Sequence, residues 1–475
     1  MTQFRLASLL VAGAVALSAC ADDATSPSLT HAPAAPALSV DEAPVPADRH
    51  IFVFSAKRIP ADFEARVAAA GGTVERAFPA LGVASTRGLD GAAAASLGAA
   101  GDVAFWNNDV EMTLDVPVGD MQVDGMGDVA AVEGNSPTNP TTASFYPRQW
   151  HLRQIGADRA WAAGRRGSPS VKVGILDSGI DYRHPDLVGR VDLSLSKSFV
   201  PADNALIQAT FPGAHEIADL QYHGTHVAAT VSSNAYSAAG VTSNLTLVGI
   251  KVLNRNGSGN SLNTLDAIVY AADIGLDVIN MSLGIANPMS RESLGWFNEM
   301  MNRAMEYAFE KGVVVVVSAG NENLDLSKLN GSFKAYCTAS TVTCVSATGP
   351  SSRASINGPW ENIDGKASYS NYGTTHVSIA APGGNGVSSV TAACSSFSLA
   401  VPVCQTGVYV LGLNGTSMAS PHAAALAALL VEQVGKRQPA LVRQRLQQSA
   451  DDLGKPGADP IYGKGRINMV KALGL

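Results

Sequence analysis

Charge is scarce in this sequence and is nowhere concentrated. Asp, Glu, Lys and Arg make up 15% of 475 residues, for a formal net charge of −7. The chain has no basic stripe to bind nucleic acid and no like-charge block to act as a disordered interaction tail. The spellings of common metal sites are missing too. The five cysteines include no Cys-x-x-Cys pair, and no His-Glu-x-x-His occurs,. No serine sits in the Gly-x-Ser-x-Gly setting of an α/β-hydrolase, which counts against an esterase or lipase of that type,. The apolar runs Leu6–Leu17 and Ala423–Val431 are both too short to cross a bilayer, which takes about 20 residues,. What remains is a glycine-rich chain of the kind found in compact α/β or β-rich secreted proteins, long enough for two or three domains and a large core,.

Residues 1–20 carry Arg5, an apolar segment and then small residues, the pattern of an export signal,. Their ending, Leu17-Ser18-Ala19-Cys20, resembles a lipoprotein signal in which Cys20 is lipidated and becomes the new N-terminus. The alternative is a cut nearby that leaves no lipid. The expected location is the cell envelope or, after processing, the extracellular space, with membrane contact only through Cys20. Export fits the other four cysteines, an even set with three connectivities. Both close pairs fall in loop-like sequence, so Cys337 with Cys344 and Cys394 with Cys404 is the expected pairing. Loops this short contribute about 2 to 3 kcal/mol each by chain entropy.

Residues 21–48 are rich in Ala, Pro and Ser without periodicity and read as a flexible tether,. Residues 50–115 alternate strand and helix patterns in a small α+β unit. Residues 116–147 return to Gly, Asp, Pro, Ser and Thr, an exposed link open to proteolysis. In 148–475, the runs VKVGILD, LTLVGIKVL, DVINMSLG, VVVVVSAGN and HVSIAAPG alternate with helical stretches. The prediction is a mostly parallel sheet with helices on both faces, and ligands bind such sheets beyond the carboxyl ends of the strands. Segments near 201–218, 322–345 and 384–411 read as surface loops.

The turns at those ends hold the chemistry. Asp177 closes an apolar strand in ILDSGID, where an unpaired carboxylate is costly,. HGTHVAAT places His223 and His226 around a glycine at the start of a small-residue helix, and spacing alone does not choose between them. SAGNEN follows the fourth run. In NGTSMASPHAAALAALL, Pro421 belongs to the first turn of a buried helix, which puts Ser417 at its mouth, where unpartnered N–H groups and the helix dipole favour negative charge,. Gly415 and Ala419 leave room for another backbone. Read alone, Ser417 serves equally well as an N-cap.

Asp177 in DSGID, His223 in HGTHVA, Asn321 in SAGNE and Ser417 in NGTSMASPH together resemble the subtilisin-like serine proteases, whose catalytic order is Asp, His, Ser,. HPDL, VGIKVL, DVINMSLG, SNYG, AAPG and YGKGRIN extend the resemblance over 150–475, and 50–115 resembles these enzymes' inhibitory propeptide. The resemblance implies an endopeptidase made as a self-processing precursor. His223 is the base, oriented by Asp177, for attack by Ser417 on a peptide carbonyl, and Asn321 with the Ser417 N–H holds the oxyanion. It also implies that Gly257-Ser258-Gly259 and Ser282-Leu283-Gly284 flank an extended peptide. Ala319 and Gly320 line the pocket for the side chain before the cut, and Glu322 lies near its rim. Small walls favour large apolar or aromatic side chains there, and Glu322 offers an acceptor to Lys or Arg. His226 and His422 read as scaffold; His31, His50, His151, His215 and His376 have no motif. No cofactor is implied for the chemistry. The short 230–240 segment, with GVTS for the family's commoner GVAP, does not supply an intact loop for structural calcium at Asp186. A binding protein that kept the fold without activity is the competing reading, but such proteins lose a catalytic residue and none is missing here. The implied partners are protein or peptide substrates and the chain's own propeptide.

Overall fold

The computed structural model describes residues 45–113, 117–128, 136–285 and 289–475. The expected export signal with Cys20, and most of the tether, lie outside the described residues.

The five Val- and Ile-rich runs become strands of one seven-stranded sheet. Its order is Ile379–Pro382, Thr343–Thr348, Val314–Ser318, Val278–Met281, Lys172–Asp177, Thr246–Lys251, Lys197–Ser198, and every pairing is parallel. Successive side chains point to opposite faces, so a continuous β-branched run has to be covered on both. Val314 and Val316 pack with helices His223–Val231 and Thr416–Val434, while Val315 and Val317 pack with Ser261–Asp273 and Arg291–Glu310.

The three expected surface loops are largely structured. Thr343–Thr348 is a fully buried sheet strand, hidden in the sequence by the polar Thr343, Ser346 and Thr348. Pro201–Thr210 is a helix whose Asp203 is buried against Lys251, at 2.8 Å. Val390–Ala393 and Tyr409–Leu413 form an antiparallel hairpin. Gln122–Gly125 adds a third strand to that hairpin, so the expected link is anchored there, while Gly119–Met121 remain exposed. Cys337 is bonded to Cys344 and Cys394 to Cys404, the pairing expected from the sequence.

Residues 50–108 form a separate antiparallel sheet, ordered Thr73–Phe78, Val83–Arg87, His50–Phe54, Val103–Asn108. Phe52 and Phe54 meet Phe63, Val67 and Leu89 on one face. The opposite face, with Ile51, Val53 and Val83, is completed by the core around helices Ser261–Asp273 and Arg291–Glu310. Arg303 Nη1 crosses this contact and donates to Phe54 O (2.8 Å) and Leu81 O (3.0 Å). The Asp109 carboxylate accepts from Ser261 Oγ and the Leu262 N–H, satisfying a helix N-terminus from the other sheet,.

Candidate active site

The helix carrying Ser417 runs Thr416–Val434, so Pro421 is its sixth residue and lies one turn deeper than the sequence reading placed it. A proline there removes the N–H that would bond the carbonyl four residues back, that of Ser417. Ser282 Oγ takes over, donating to Ser417 O at 2.8 Å. The buried Asn280 Nδ2 donates to Ser282 Oγ (2.9 Å), and Ser420 Oγ donates to Asn280 Oδ1 (2.6 Å). This chain of bonds fixes the first turn to the end of a central strand. Ser417 stays at the helix mouth, where first-turn N–H groups lack intrahelical acceptors. Its own hydroxyl is turned to Ser282 O, at 3.3 Å.

Asp177 ends its strand fully buried, and His223 begins its helix fully buried. His223 Nδ1 lies 2.8 and 3.0 Å from the two Asp177 oxygens. The Ser178 N–H donates to Asp177 Oδ1 at 2.7 Å. The carboxylate therefore selects the tautomer with the proton on Nδ1, leaving Nε2 to accept. Nε2 is buried and has no hydrogen-bond partner among the described residues. Gln221 Oε1 accepts from the His223 N–H, at 2.7 Å.

Asp219 organises the turn before His223, a role the sequence reading missed. Its Oδ1 accepts from Ser178 Oγ and the N–H groups of Gln221 and Tyr222, and its Oδ2 from the N–H and Oγ1 of Thr225. Burial raises its pKa, and the Lys251 charge and these hydrogen bonds oppose the rise. Lys251 Nζ also donates to Ser178 O. A buried cation thus ties the turn after Asp177 to the helix Pro201–Thr210.

Asn321 Oδ1 accepts from both the N–H and Oγ1 of Thr416, each at 2.9 Å. Committing the amide oxygen to these donors fixes the orientation of the side chain. A Cβ built on Gly415 would lie 3.5 Å from Asn321 Nδ2, which brings the amide donor to the helix mouth.

The glycine-rich segment is the one expected to flank a peptide. Gly257 turns with φ +77°, and a side chain on Gly259 would strike the carbonyl oxygen of Val252. Ser258–Asn260 pairs antiparallel with Glu111–Thr113, with Thr113 opposite Ser258 and Met112 opposite Gly259. Val118 N–H donates to Asn414 O at 2.7 Å. The chain is thus held at the Ser258–Asn260 strand and again at Asn414, three residues before Ser417. Ser282, Leu283 and Ala319 are buried. Gly320, at φ +96°, donates its N–H to Thr416 Oγ1, which ties the segment expected to line the pocket to the first turn of the Ser417 helix.

The remaining motif histidines are packing groups. His226 Nε2 reaches Val390 O and Leu411 O, both at 3.1 Å, and burial lowers its pKa to about 3. His422 Nδ1 donates to Met418 O, and its Nε2 accepts from His151 Nδ1 at 2.8 Å; burial lowers its pKa to about 4. His151, without a motif, is therefore half of a buried neutral pair. Asp186 accepts from the N–H groups of Tyr236, Ser237 and Ala238 and from Ser237 Oγ. With both oxygens facing these donors, it does not fit a cation at that place.

Residues 168–465 match the subtilase family of peptidases. The chain is 34% identical over 342 residues to a thermophilic serine proteinase of Bacillus sp. (strain AK1), covering 71% of this chain and 70% of the relative. It is 32% identical to thermitase of Thermoactinomyces vulgaris, covering 70% of this chain and 99% of thermitase. Among solved structures, the epidermin leader peptide processing serine protease of Staphylococcus aureus superposes with a TM-score of 0.69 at 21% identity, over 90% of this chain and 98% of that one. Fervidolysin of Fervidobacterium pennivorans superposes with a TM-score of 0.66 at 22% identity, over 91% and 62%. At these identities the superpositions speak for the fold, which is subtilisin-like.

Proposed function

Because the chain belongs to the subtilase family and is a serine-type endopeptidase, we propose that Asp177, His223 and Ser417 form its triad and that it is exported as a precursor that cuts itself. In this reading Ser417 Oγ gives its proton to His223 Nε2 as it attacks the peptide carbonyl, and Asp177 stabilises the imidazolium that forms. Asn321 Nδ2 and the Ser417 N–H receive the oxyanion. His223 then protonates the leaving amine, and water repeats the sequence on the acyl-enzyme. Residues 50–115 act as propeptide and intramolecular inhibitor, with 148–475 as the peptidase domain.

One observation carries the precursor reading. Glu111–Thr113 is added as a strand to Ser258–Asn260, the edge assigned to substrate, and the chain is held again at Asn414, three residues before Ser417. A segment bound like a substrate both blocks the groove and offers itself for cleavage.

Asn321→Ala is expected to lower kcat by roughly 10² to 10³, about 3 to 4 kcal/mol, with KM little changed. The substitution also removes the acceptor for Thr416. Asn321→Asp keeps that acceptor and should lose at least as much activity. Steady-state kinetics on a peptide decide the matter, since a loss of tenfold or less would move the oxyanion hole elsewhere. For anchoring, Cys20→Ser should shift the protein from membrane to soluble fractions. An unchanged distribution, with no lipid mass on the N-terminal peptide, would refute the anchor.

A further inference from the structure

We propose that the pocket receiving the side chain before the scissile bond selects a carboxylate, and that Lys334 is the residue that reads it. This rests on the protease reading of the groove. In that reading Ala319 and Gly320 line the pocket, and the segment ending at Gly284 flanks the peptide beside it. Lys334 follows the short strand Ser332–Phe333, and the residue is 2% exposed. Its Nζ donates to the carbonyl of Ile285, next to Gly284, at 2.6 Å, and to Glu322 Oε1, two residues after Gly320, at 2.7 Å. The ammonium therefore bridges these two segments. Its stem lies against Gly320, because a Cβ built there would stand 2.6 Å from Lys334 Cε.

This arrangement reverses the sequence-based expectation for the pocket. Glu322 was the acceptor for an incoming Lys or Arg, but its Oε1 is held by Lys334 and its Oε2 by Asn371 Nδ2 at 2.6 Å. Glu322 instead holds Lys334 in place. A basic substrate side chain would bring a second cation against a buried ammonium. An aromatic one would lie beside that charge and return no hydrogen bond. A carboxylate returns a charge-assisted bond, which is stronger than a neutral one. The precursor's own sequence agrees. Between Thr113, held at Ser258, and Val118, held at Asn414, the sequence is Leu114-Asp115-Val116-Pro117, with one acid. The self-cleavage bond expected on this ground is Asp115–Val116.

The test is kcat/KM of the processed enzyme on peptides differing only before the scissile bond, with Glu, Asp, Gln, Phe or Arg there. Glu should exceed its isostere Gln by about tenfold or more, the size of a charged hydrogen bond over a neutral one, and Arg should be the poorest. Lys334→Met should bring the Glu-to-Gln ratio close to one. If that variant does not fold, the ratio in the unsubstituted enzyme still decides. Sequencing of the processed protein should begin at Val116. Preference for Phe or Arg, with a processed end elsewhere, would overturn the role of Lys334 alone. Failure to cut any peptide, with an intact precursor, would overturn the protease reading and this inference with it.

Discussion

Ser417→Ala is expected to leave the protein at its full precursor mass and to lower kcat on peptides by roughly 10⁶-fold, the size of the loss when a triad nucleophile is removed. The proposed mechanism has one nucleophile, so covalent catalysis stops. Binding and the oxyanion donors remain and leave roughly 10³ to 10⁴ over water. The fold should survive. The hydroxyl makes one long bond, to Ser282 O at 3.3 Å, whereas the bond that replaces the missing Pro421 N–H runs to the Ser417 carbonyl and is kept. The measurement is the intact mass after expression in a host without other exported proteases. Appearance at the mature size would mean that another protease performs the maturation, even if peptide hydrolysis is lost.

Asp177→Asn should lower kcat by roughly 10⁴-fold while hardly changing the unfolding midpoint. The local bonds give the reason. Ser178 N–H donates to Asp177 Oδ1 at 2.7 Å and needs an oxygen opposite it. An asparagine would keep its oxygen there and turn its NH₂ towards His223 Nδ1. Two donors cannot face each other, so the imidazole would carry its proton on Nε2 and could no longer accept from Ser417. Because the site is fully buried, water offers little relief. Kinetics and thermal unfolding on the same sample separate this from misfolding. A loss under tenfold with an unchanged midpoint would remove Asp177 from the orienting role.

Much of the architecture was legible because periodicity is local. The Val-rich run at 314–318 could be covered only on both faces, and the all-apolar stretch 423–431 could only be buried,. Thr343–Thr348 was not legible, since its Thr and Ser residues are buried through bonds to distant groups, as Ser346 Oγ is to Ile461 O. Pro421 shows the same limit from the opposite side. Its local rule gave the wrong helix start because a hydroxyl from Ser282, 135 residues before Ser417, replaces the lost bond.

The sequence by itself determined the order of the motifs at the strand ends, the small residues around Ser417 and the expected pairing of four cysteines, all matters of spacing and side-chain size. Spacing alone left His223 and His226 equivalent, and only the family resemblance chose His223. Tertiary structure separates them by giving one a carboxylate at 2.8 Å and the other two carbonyls at 3.1 Å. It also decided that Asp219 holds the turn before His223, that Lys251 is buried against Asp203, and that Glu322 is paired with the buried Lys334. Each of these depends on which partner fills the space beside a charged group. A polar side chain's role follows from its neighbours, and only the folded chain brings them together.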